Sequence, residues 1–301
     1  MNAVTGAFGY TGKYIARQLL MFGEPVITLT GHPDRANEFG AAVKAFPFRF
    51  DDPDAMAKSL AGVGVLYNTY WIRFGRGVMT HEQAVSNTRA LIRAAEIAGV
   101  ERVVHISITN PDIGSPLPYF RGKARLEEEI RKGHFSHAIV RPTVGFGLED
   151  ILINNIAFLL RKLPLFFIPG TGQYRLQPIY VEDLAKIAVE AAHSSGDAVM
   201  DAVGPEILSF EELIRLVAKA VGSRAAILHA SPGLALAATR LLGAVFHDVI
   251  LTRDELEGLM ASLLVSRSAP TASTRLSEWL TNNAAVVGTR YASELDRHYL
   301  S

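Results

Sequence analysis

Short apolar runs alternate with longer amphipathic segments along the first two thirds of the chain. The short runs have the unbroken apolar character of strands buried on both faces, and the longer segments repeat their apolar residues at helical spacing. The pattern predicts strands in "NAVTG", "PVITLTG", "VKAFPFRF", "GVLYNTYW", "RVVHISI", "HAIVRPTVGFG" and "AVMDAVG", and helices over 11–22, 33–41, 53–61, 80–98 and 119–132. This alternation predicts an α/β fold of the Rossmann type, a doubly wound parallel sheet.

The alternation weakens after residue 147, where helical patterns take over. Helices are predicted over 148–168, 209–222, 231–246, 252–264 and 274–300. We therefore expect a Rossmann domain over 1–147 plus 178–204, and a smaller, mostly helical C-terminal lobe over 148–177 plus 205–301 that receives a substrate or a partner. The apolar stretch "FLLRKLPLFFIPG" in that lobe is predicted to be core, with an apolar lid over a lipophilic ligand as the alternative.

Composition narrows the classes of function. The 301 residues carry 30 Lys and Arg against 30 Asp and Glu, so no global field attracts nucleic acid. There is no cysteine, which excludes disulfides, thiolate nucleophiles and cysteine metal sites. The longest apolar stretches are interrupted by Asn, Arg and Lys, and none supplies the roughly 20 uncharged residues of a spanning helix. We expect a soluble, cytoplasmic protein with no transmembrane segment.

Histidine does not point to a metal centre either. His81, His105, His134 and His137 show no i, i+4 pair with a carboxylate partner, so we expect no metal. His105 lies inside the fifth predicted strand and is expected to be a core residue.

Residues 5–20, "TGAFGYTGKYIARQLL", join the first strand to the first helix through three glycines. Gly6 permits a tight turn, Gly9 allows backbone amides to approach a pyrophosphate, and Gly12 allows the helix to pack closely on the strand. The helix would direct its dipole at the phosphates. The alternative is a turn that binds nothing. The strand–glycine–helix order inside a βαβ array favours a dinucleotide site.

The end of the second strand bears on which dinucleotide is bound. An acid near this point would bind the ribose hydroxyls of NAD, but the strand ends in Thr-Gly-His, and Asp34 follows a proline. Arg35 could contact the 2′-phosphate of NADP, with a solvated surface residue as the alternative. The sequence slightly favours NADP over NAD.

Tyr119 and Lys123 lie four residues apart and therefore on one face of a predicted helix. A tyrosine is a poor acid or base near neutral pH, and a lysine ammonium one turn away would stabilise its phenolate. A hydroxyl at the end of the fifth strand, Ser107 or Thr109, would hold a substrate oxygen. Such pairs also occur on ordinary helix surfaces, but the preceding hydroxyl-bearing strand favours a catalytic site.

A family resemblance rests on "TGAFGYTG", "NTRALIRAAEIAGVERVVHISI", "YFRGK", "VRPTVGFG" and "QPIYVEDLA", in this order. These motifs resemble the extended and atypical short-chain dehydrogenase/reductases, in the branch of the nucleotide-binding accessory subunit of respiratory complex I and the NmrA-like proteins. The resemblance implies these cofactor contacts: Gly6, Phe8, Gly9, Tyr10 and Gly12 around the pyrophosphate, Asp51 (or Asp52) near the adenine, Asn68 and Thr69 along the cofactor, Lys123 at the nicotinamide ribose, and Pro142 to Val144 by the nicotinamide. Asn87 matches a helix asparagine of the family.

Two functions follow as hypotheses. The first is an NAD(P)-dependent oxidoreductase or epimerase acting on a carbonyl or alcohol of a small, lipophilic substrate through Tyr119, Lys123 and Thr109 or Ser107. The second is a non-catalytic NAD(P)H-binding module in redox sensing or assembly. The partners expected are a small-molecule substrate and either a second copy of the chain or a respiratory-type protein.

Overall fold

The computed structural model describes residues 1–298, which form two compact units. The first unit comprises Met1–Pro142 and Leu184–Ala202, and the second comprises Thr143–Asp183 and the described chain from Val203 onward. Each unit is therefore discontinuous in sequence. Residues 299–301, which end the predicted lobe and include the end of its last helix, lie outside the described part.

Strands and helices alternate in the first unit, and helix makes up a larger proportion of the second unit as described. The strands are β1 (Asn2–Thr5), β2 (Val26–Thr30), β3 (Val43–Pro47), β4 (Val65–Asn68), β5 (Arg102–Ile106), β6 (Ser136–Pro142), β7 (Val144–Phe146), β8 (Leu165–Pro169), β9 (Arg175–Leu176), β10 (Pro178–Tyr180), β11 (Ala198–Ala202), β12 (Leu208–Ser209) and β13 (Ala226–Ala230). The helices are α1 (Tyr10–Met21), α2 (Pro53–Ser59), α3 (His81–Ile97), α4 (Pro118–Lys132), α5 (Leu152–Lys162), α6 (Val181–His193), α7 (Phe210–Ala220), α8 (Pro232–Phe246), α9 (Arg253–Met260), α10 (Leu276–Asn283) and α11 (Glu294–His298).

The first unit is built on a seven-stranded parallel sheet in the order β3-β2-β1-β4-β5-β6-β11. The direction of winding reverses between β1 and β4, and ligands of doubly wound sheets bind in the crevice at such a point. Strands β1, β2 and β5 are buried along their whole length, which explains their continuous apolar character. The predicted doubly wound parallel sheet is confirmed.

The predicted helix over 33–41 is wrong. These residues form turns and a loop, followed by a single 3₁₀ turn at Gly40–Ala42. The side chain of Asn37 accepts hydrogen bonds from the amides of Phe39 and Gly40 and donates to the carbonyl of Arg35. Such local side-chain bonds offer the backbone an alternative to helix, and here they win.

The second unit contains three two-stranded sheets, β7 with β10, β8 with β13 and β9 with β12. The predicted helix over 148–168 is correct only for α5, because Leu165–Pro169 pair in parallel with Ala226–Ala230. Within "FLLRKLPLFFIPG", Leu160 and Ile168 belong to the apolar core of this unit, and Phe166 packs against it. The stretch thus contributes to core, the favoured interpretation.

The chain as described, residues 1–298, contains no helix with the length and apolar character needed to cross a bilayer.

Candidate active site

The glycine loop after β1 has a geometry that each glycine makes possible. Gly6 has φ of +63°, a conformation that side chains disfavour, and its amide donates to the carbonyl of Leu29 at 2.8 Å. The amide of Gly9 donates to the carbonyl of Gly6, also at 2.8 Å. A Cβ atom on Gly12 would lie 2.4 Å from the Gly6 carbonyl oxygen. Helix α1 therefore packs against the loop at a distance that only glycine allows.

The N-terminus of α1 is open to an anion. Gly9 occupies the N-cap position, no side chain caps the helix, and the first turn contains no acidic residue. The amides of a first helical turn have no partner within the helix, and the dipole favours negative charge at this end. Tyr10 begins the helix and packs its ring edge-to-face on Tyr14. The loop and this helix end have the geometry that an anion site requires, and pyrophosphate binding by Gly6, Gly9 and Gly12 stays a prediction.

A cleft of about 390 Å³ adjoins the loop on the side of β2. Its lining residues are Ala7, Phe8, Lys13, Ala36, Asn37, Glu38 and Phe39. Glu38 also accepts two hydrogen bonds from the guanidinium of Arg17, both 2.8 Å long. The sequence predicts Glu38 within a helix over 33–41, away from the end of β2. The loop observed in place of that helix puts Glu38 in the lining of the cleft.

Two residues predicted near the adenosine, Arg35 and Asp51, are not among the residues that line the cleft. Arg35 lies in the loop after β2, where its amide donates to the carbonyl of His32. Asp51 is exposed just before α2. Asp52 caps α2 by accepting the amide of Ala55 at 2.9 Å, so its carboxylate has a structural use.

Asn68 and Thr69, at the end of β4, are tied to the glycine loop by Thr5. Thr5 Oγ1 accepts the amide of Thr69 at 2.7 Å, and Thr69 Oγ1 donates to the Thr5 carbonyl. Thr69 Oγ1 lies 3.7 Å from the point where Gly6 would carry a Cβ. Asn68 is buried and bonds to the ring of His105 at 3.1 Å. The structure thus brings both residues to the loop, with Asn68 used internally.

His105 is a core residue, as expected. It is fully buried, its Nδ1 faces the Asn68 amide, and its Nε2 has no hydrogen-bond partner within residues 1–298. Burial and the nearby Lys123 ammonium hold the pKa of His105 well below its ordinary value, so the ring is neutral. Among the described residues, no group of three His, Asp or Glu side chains could hold a metal.

Tyr119 and Lys123 occupy the first two turns of α4. Lys123 is buried, and its Nζ donates to the carbonyl of Ile106 at 2.7 Å. The ammonium lies 4.8 Å from the ring centroid of Trp71, within cation–π range. Burial lowers the pKa of Lys123 to about 7, and the Glu127 carboxylate opposes that fall. Lys123 thus changes charge near neutral pH.

Trp71 is the main residue of this region that the sequence did not reveal. Its ring meets Tyr119 edge-to-face at 5.8 Å and lies 5.7 Å from the ring of His81. A Cβ atom on Gly122 would come within 2.7 Å of the indole, so this glycine lets Trp71 pack against α4. The indole Nε1 is buried and has no hydrogen-bond partner in the described chain. In the sequence, the sign of this contact is Gly122 in "YFRGK", because a side chain at that position would clash with the indole.

The two hydroxyl candidates after β5 are in different environments. Ser107 is buried and donates its hydroxyl to Glu127 Oε1 at 2.6 Å. Thr109 is fully buried, its amide donates to the carbonyl of Pro142 at 2.9 Å, and its Oγ1 has no hydrogen-bond partner among residues 1–298. Of these two hydroxyls, Ser107 already uses its O–H donor on Glu127, whereas the O–H of Thr109 is available to a substrate oxygen.

The charge run "RLEEEIRK" has the composition of a solvated helix face, but Glu127 within it is buried. Its side chain is only 2% exposed, and it accepts hydrogen bonds from Ser107, Arg141 and Arg131. Arg141 Nε lies 2.8 Å from Glu127 Oε1. The position of Glu127, one turn after Lys123 and two after Tyr119, was the available signal.

The remaining predicted residues are Pro142, Val144 and Asn87, and the Pro142 carbonyl accepts the Thr109 amide. Pro142 ends β6 in the first unit, whereas Val144 belongs to β7 in the second. Asn87 lies in α3, where it donates to the Tyr70 hydroxyl at 2.8 Å and accepts from Gln83 at 2.9 Å.

The residues of the first unit fit a dinucleotide. The uncapped helix end and the glycine turn suit a pyrophosphate, and the adjoining cleft suits an adenosine. The buried, unpartnered Thr109 hydroxyl and Trp71 indole lie on the residues that follow β5 and β4. Buried polar atoms are normally hydrogen-bonded, so each orphan indicates a missing partner.

Comparison with known proteins agrees with this geometry. Residues 6–147 match the model of an NAD(P)H-binding family. The chain is 26% identical over 226 residues to the NADH dehydrogenase [ubiquinone] 1 alpha subcomplex subunit 9 of Arabidopsis thaliana mitochondria, an alignment covering 71% of this chain and 56% of that protein. The chain spans little more than half the length of such curated relatives.

Solved structures share the fold. The NADPH-dependent quinone oxidoreductase of Escherichia coli, solved with NADPH, has a TM-score of 0.74 and 21% identity, covering 94% of this chain and 99% of that one. The UDP-glucose 4-epimerase of Thermus thermophilus, solved with NAD, has a TM-score of 0.65 and 19% identity, covering 87% and 98%. Residues 6–147, with their glycine loop and parallel sheet, therefore match an NAD(P)H-binding domain, and the whole chain is similar in fold to NAD(P)-dependent epimerases and reductases.

Proposed function

We propose that the protein is an NAD(P)-dependent oxidoreductase or epimerase that acts on a carbonyl or alcohol of a small, lipophilic substrate. The observation that carries the proposal is the arrangement at the end of β5. There the unpartnered hydroxyl of Thr109 follows, by three residues, the Ile106 carbonyl that holds the Lys123 ammonium. Tyr119 precedes Lys123 by one turn of α4.

Each side chain has a distinct task in this proposal. When bound, the nicotinamide supplies or accepts the hydride. The phenol of Tyr119 donates a proton to the substrate oxygen in reduction, and its phenolate removes that proton in oxidation. The Lys123 ammonium stabilises the phenolate, and the Thr109 hydroxyl holds the substrate oxygen. Ser107 is assigned to support, since its hydroxyl is bound to Glu127.

Two observations support a planar, apolar substrate. The rings of Trp71 and His81 surround Tyr119, which favours an aromatic or quinone-like carbonyl compound over a charged one. The fold is shared with a quinone oxidoreductase. The lipophilic substrate predicted from sequence is retained on these grounds.

Replacing Tyr119 with Phe tests the catalytic assignment. We expect turnover of a quinone or carbonyl panel to be lost, while NADPH affinity, measured by fluorescence, stays within about twofold of the parent's. Tyr174→Phe is the matched control, because it removes a tyrosine hydroxyl from the second unit, where it donates to the Pro169 carbonyl. Unchanged turnover in Tyr119→Phe would refute the assignment.

The second candidate is a module that holds NAD(P)H without consuming it. The similarity to a subunit of an NADH dehydrogenase favours it, since that relative is named as one component of a larger assembly. Incubating the protein with NADPH and the same acceptor panel separates the candidates. A tightly bound reduced nucleotide that no acceptor oxidises supports the module.

The finer cofactor and location assignments stay predictions. We retain the slight preference for NADP through Arg35, and a homodimer or a respiratory-type partner as alternatives. A cytoplasmic location is also retained as a prediction, although the plant relative is mitochondrial.

A further inference from the structure

We propose that Glu127 is a positioning residue of the active site, whose buried carboxylate holds Lys123 in its ammonium form beside Tyr119. The inference rests on the proposed function for its catalytic meaning. Its physical content is independent of turnover, because it concerns a charge buried between α4, β5 and β6.

The carboxylate is fixed from several elements at once. Ser107, after β5, donates to Oε1 at 2.6 Å, and Arg141, in β6, donates to Oε1 at 2.8 Å. Arg131, one turn later in α4, donates to Oε2 at 3.0 Å. A surface ion pair would not need this many donors, whereas a buried carboxylate needs each of its lone pairs satisfied. The Glu127 carboxylate is therefore held in place by donors from α4, from β6 and from the residue after β5.

The position of Glu127 on α4 relates its carboxylate to the Lys123 ammonium. Tyr119, Lys123 and Glu127 are spaced at i, i+4 and i+8, so they form one stripe along the helix. The Lys123 ammonium is buried, with one hydrogen bond to a carbonyl and an indole face as its other contact. Burial alone drives such an ammonium to give up its proton, and a neutral amine would no longer stabilise the Tyr119 phenolate.

The other groups around Lys123 do not replace Glu127. The titratable and charged groups that surround it are Tyr119 and Arg131 on α4, His105 on β5, Arg141 on β6 behind Glu127, and His81 on α3 behind Trp71. His105 is neutral, and the two arginines are cationic and disfavour a further positive charge. Glu127 is thus the anion of this group that favours the ammonium.

Trp71 provides a direct readout of the charge on Lys123. The ammonium lies 4.8 Å from the indole ring, so its loss changes the surroundings of the indole. A pH titration of intrinsic fluorescence in the nucleotide-free protein should show a transition near pH 7. The transition should be absent from Trp71→Phe, which assigns the signal to this indole, and from Lys123→Met, which assigns it to the ammonium.

In Glu127→Gln we expect the midpoint of this transition to fall by about 1 to 3 pH units, the effect of removing an adjacent opposite charge. Glu128→Gln is the matched control, because it removes the same charge from the exposed neighbouring position. Its midpoint should stay at the parent's value. An unchanged midpoint in Glu127→Gln would overturn the proposal.

A double variant provides the test if Glu127→Gln alone does not fold. The double variant Glu127→Gln with Arg141→Gln removes the carboxylate together with the partly buried guanidinium that lies 2.8 Å from it, so that only the more exposed Arg131 loses its partner. Because loss of Arg141 offsets part of the loss of Glu127, the double variant is compared with Arg141→Gln alone. Its midpoint should lie below that of Arg141→Gln, and equal midpoints in these two variants overturn the proposal. If the acceptor panel shows turnover, the high-pH limb of the kcat profile should move down by the same interval. Absence of turnover with a shifted fluorescence midpoint sinks the enzymatic function and leaves the role of Glu127 intact.

Discussion

Removing either of the two hydroxyls after β5 should change the free energy of unfolding, with opposite signs for Thr109 and Ser107. Thr109 Oγ1 is buried without a hydrogen-bond partner in the described chain, whereas Ser107 Oγ donates to the buried carboxylate of Glu127. A buried hydroxyl without a partner destabilises a folded protein by about 1 to 3 kcal/mol. A hydrogen bond to a charged group stabilises it by about 1.5 to 3 kcal/mol.

The perturbations are Thr109→Val, which keeps the shape of the side chain, and Ser107→Ala. In the absence of nucleotide, Thr109→Val should raise the free energy of unfolding of the first unit by about 1 kcal/mol. Ser107→Ala should lower it by about 2 kcal/mol. With substrate, Thr109→Val should reduce kcat about 10²- to 10³-fold, the usual effect of losing a donor to a developing oxyanion.

Urea unfolding followed by Trp71 fluorescence measures the first quantity, because Trp71 belongs to the first unit and the other tryptophan, Trp279, to the second. Trp71→Phe separates the two signals. The reasoning is refuted if Thr109→Val destabilises the protein as much as Ser107→Ala does. It is equally refuted if Thr109→Val is more stable but retains full turnover.

Three further predictions concern the glycine loop, Lys123 and the cofactor. Gly9→Val should abolish NADPH binding while the protein stays folded. Gly12→Ala should lower the free energy of unfolding by about 1 to 3 kcal/mol, because its Cβ would lie 2.4 Å from a backbone carbonyl oxygen. Nucleotide titration and urea unfolding of both variants test this, and tight NADPH binding by Gly9→Val contradicts it. Lys123 loses its proton near pH 7 in the folded protein but only near pH 10 in the unfolded chain, so the free energy of unfolding should rise with pH across this interval. If the free energy of unfolding of Lys123→Met rises by the same amount, this prediction is contradicted. NADPH should bind somewhat more tightly than NADH, with the difference lost in Arg35→Ala; a strong preference for NADH in the parent contradicts it.

Sequence pattern was sufficient for the sheet and the glycine loop, because both depend on local signals. Buried parallel strands are continuous apolar runs, and the turn before α1 needs glycine at fixed positions. The predicted helix over 33–41 fails because the Asn37 side chain closes a turn, which outweighs weak helical periodicity. Strand β8 was missed because its partner, β13, lies about 60 residues further along the chain.

The active-site prediction was strongest where spacing implies contact and weakest where contacts are long-range. Tyr119 and Lys123 share a helix face, so their spacing alone groups them. Trp71 reaches that face from the chain after β4, and its own sequence neighbours do not indicate this contact, although Gly122 in "YFRGK" leaves room for the indole. Glu127 was hidden in a run of three glutamates, whose average polarity predicts exposure although successive residues point in different directions.

The discontinuity of the first unit has a consequence for excising the nucleotide site as a fragment. The NAD(P)H-binding match ends at residue 147, yet the outermost strand of the sheet, β11, is formed by residues 198–202. A fragment ending at 147 would keep the glycine loop and α4 but leave the hydrogen-bonding edge of β6 uncovered. It would also lose the carbonyls of Ala191 and Gly196, to which Arg102 donates from β5. Bare strand edges pair with other chains, so such a fragment should aggregate, and a fusion restoring residues 184–202 would protect it.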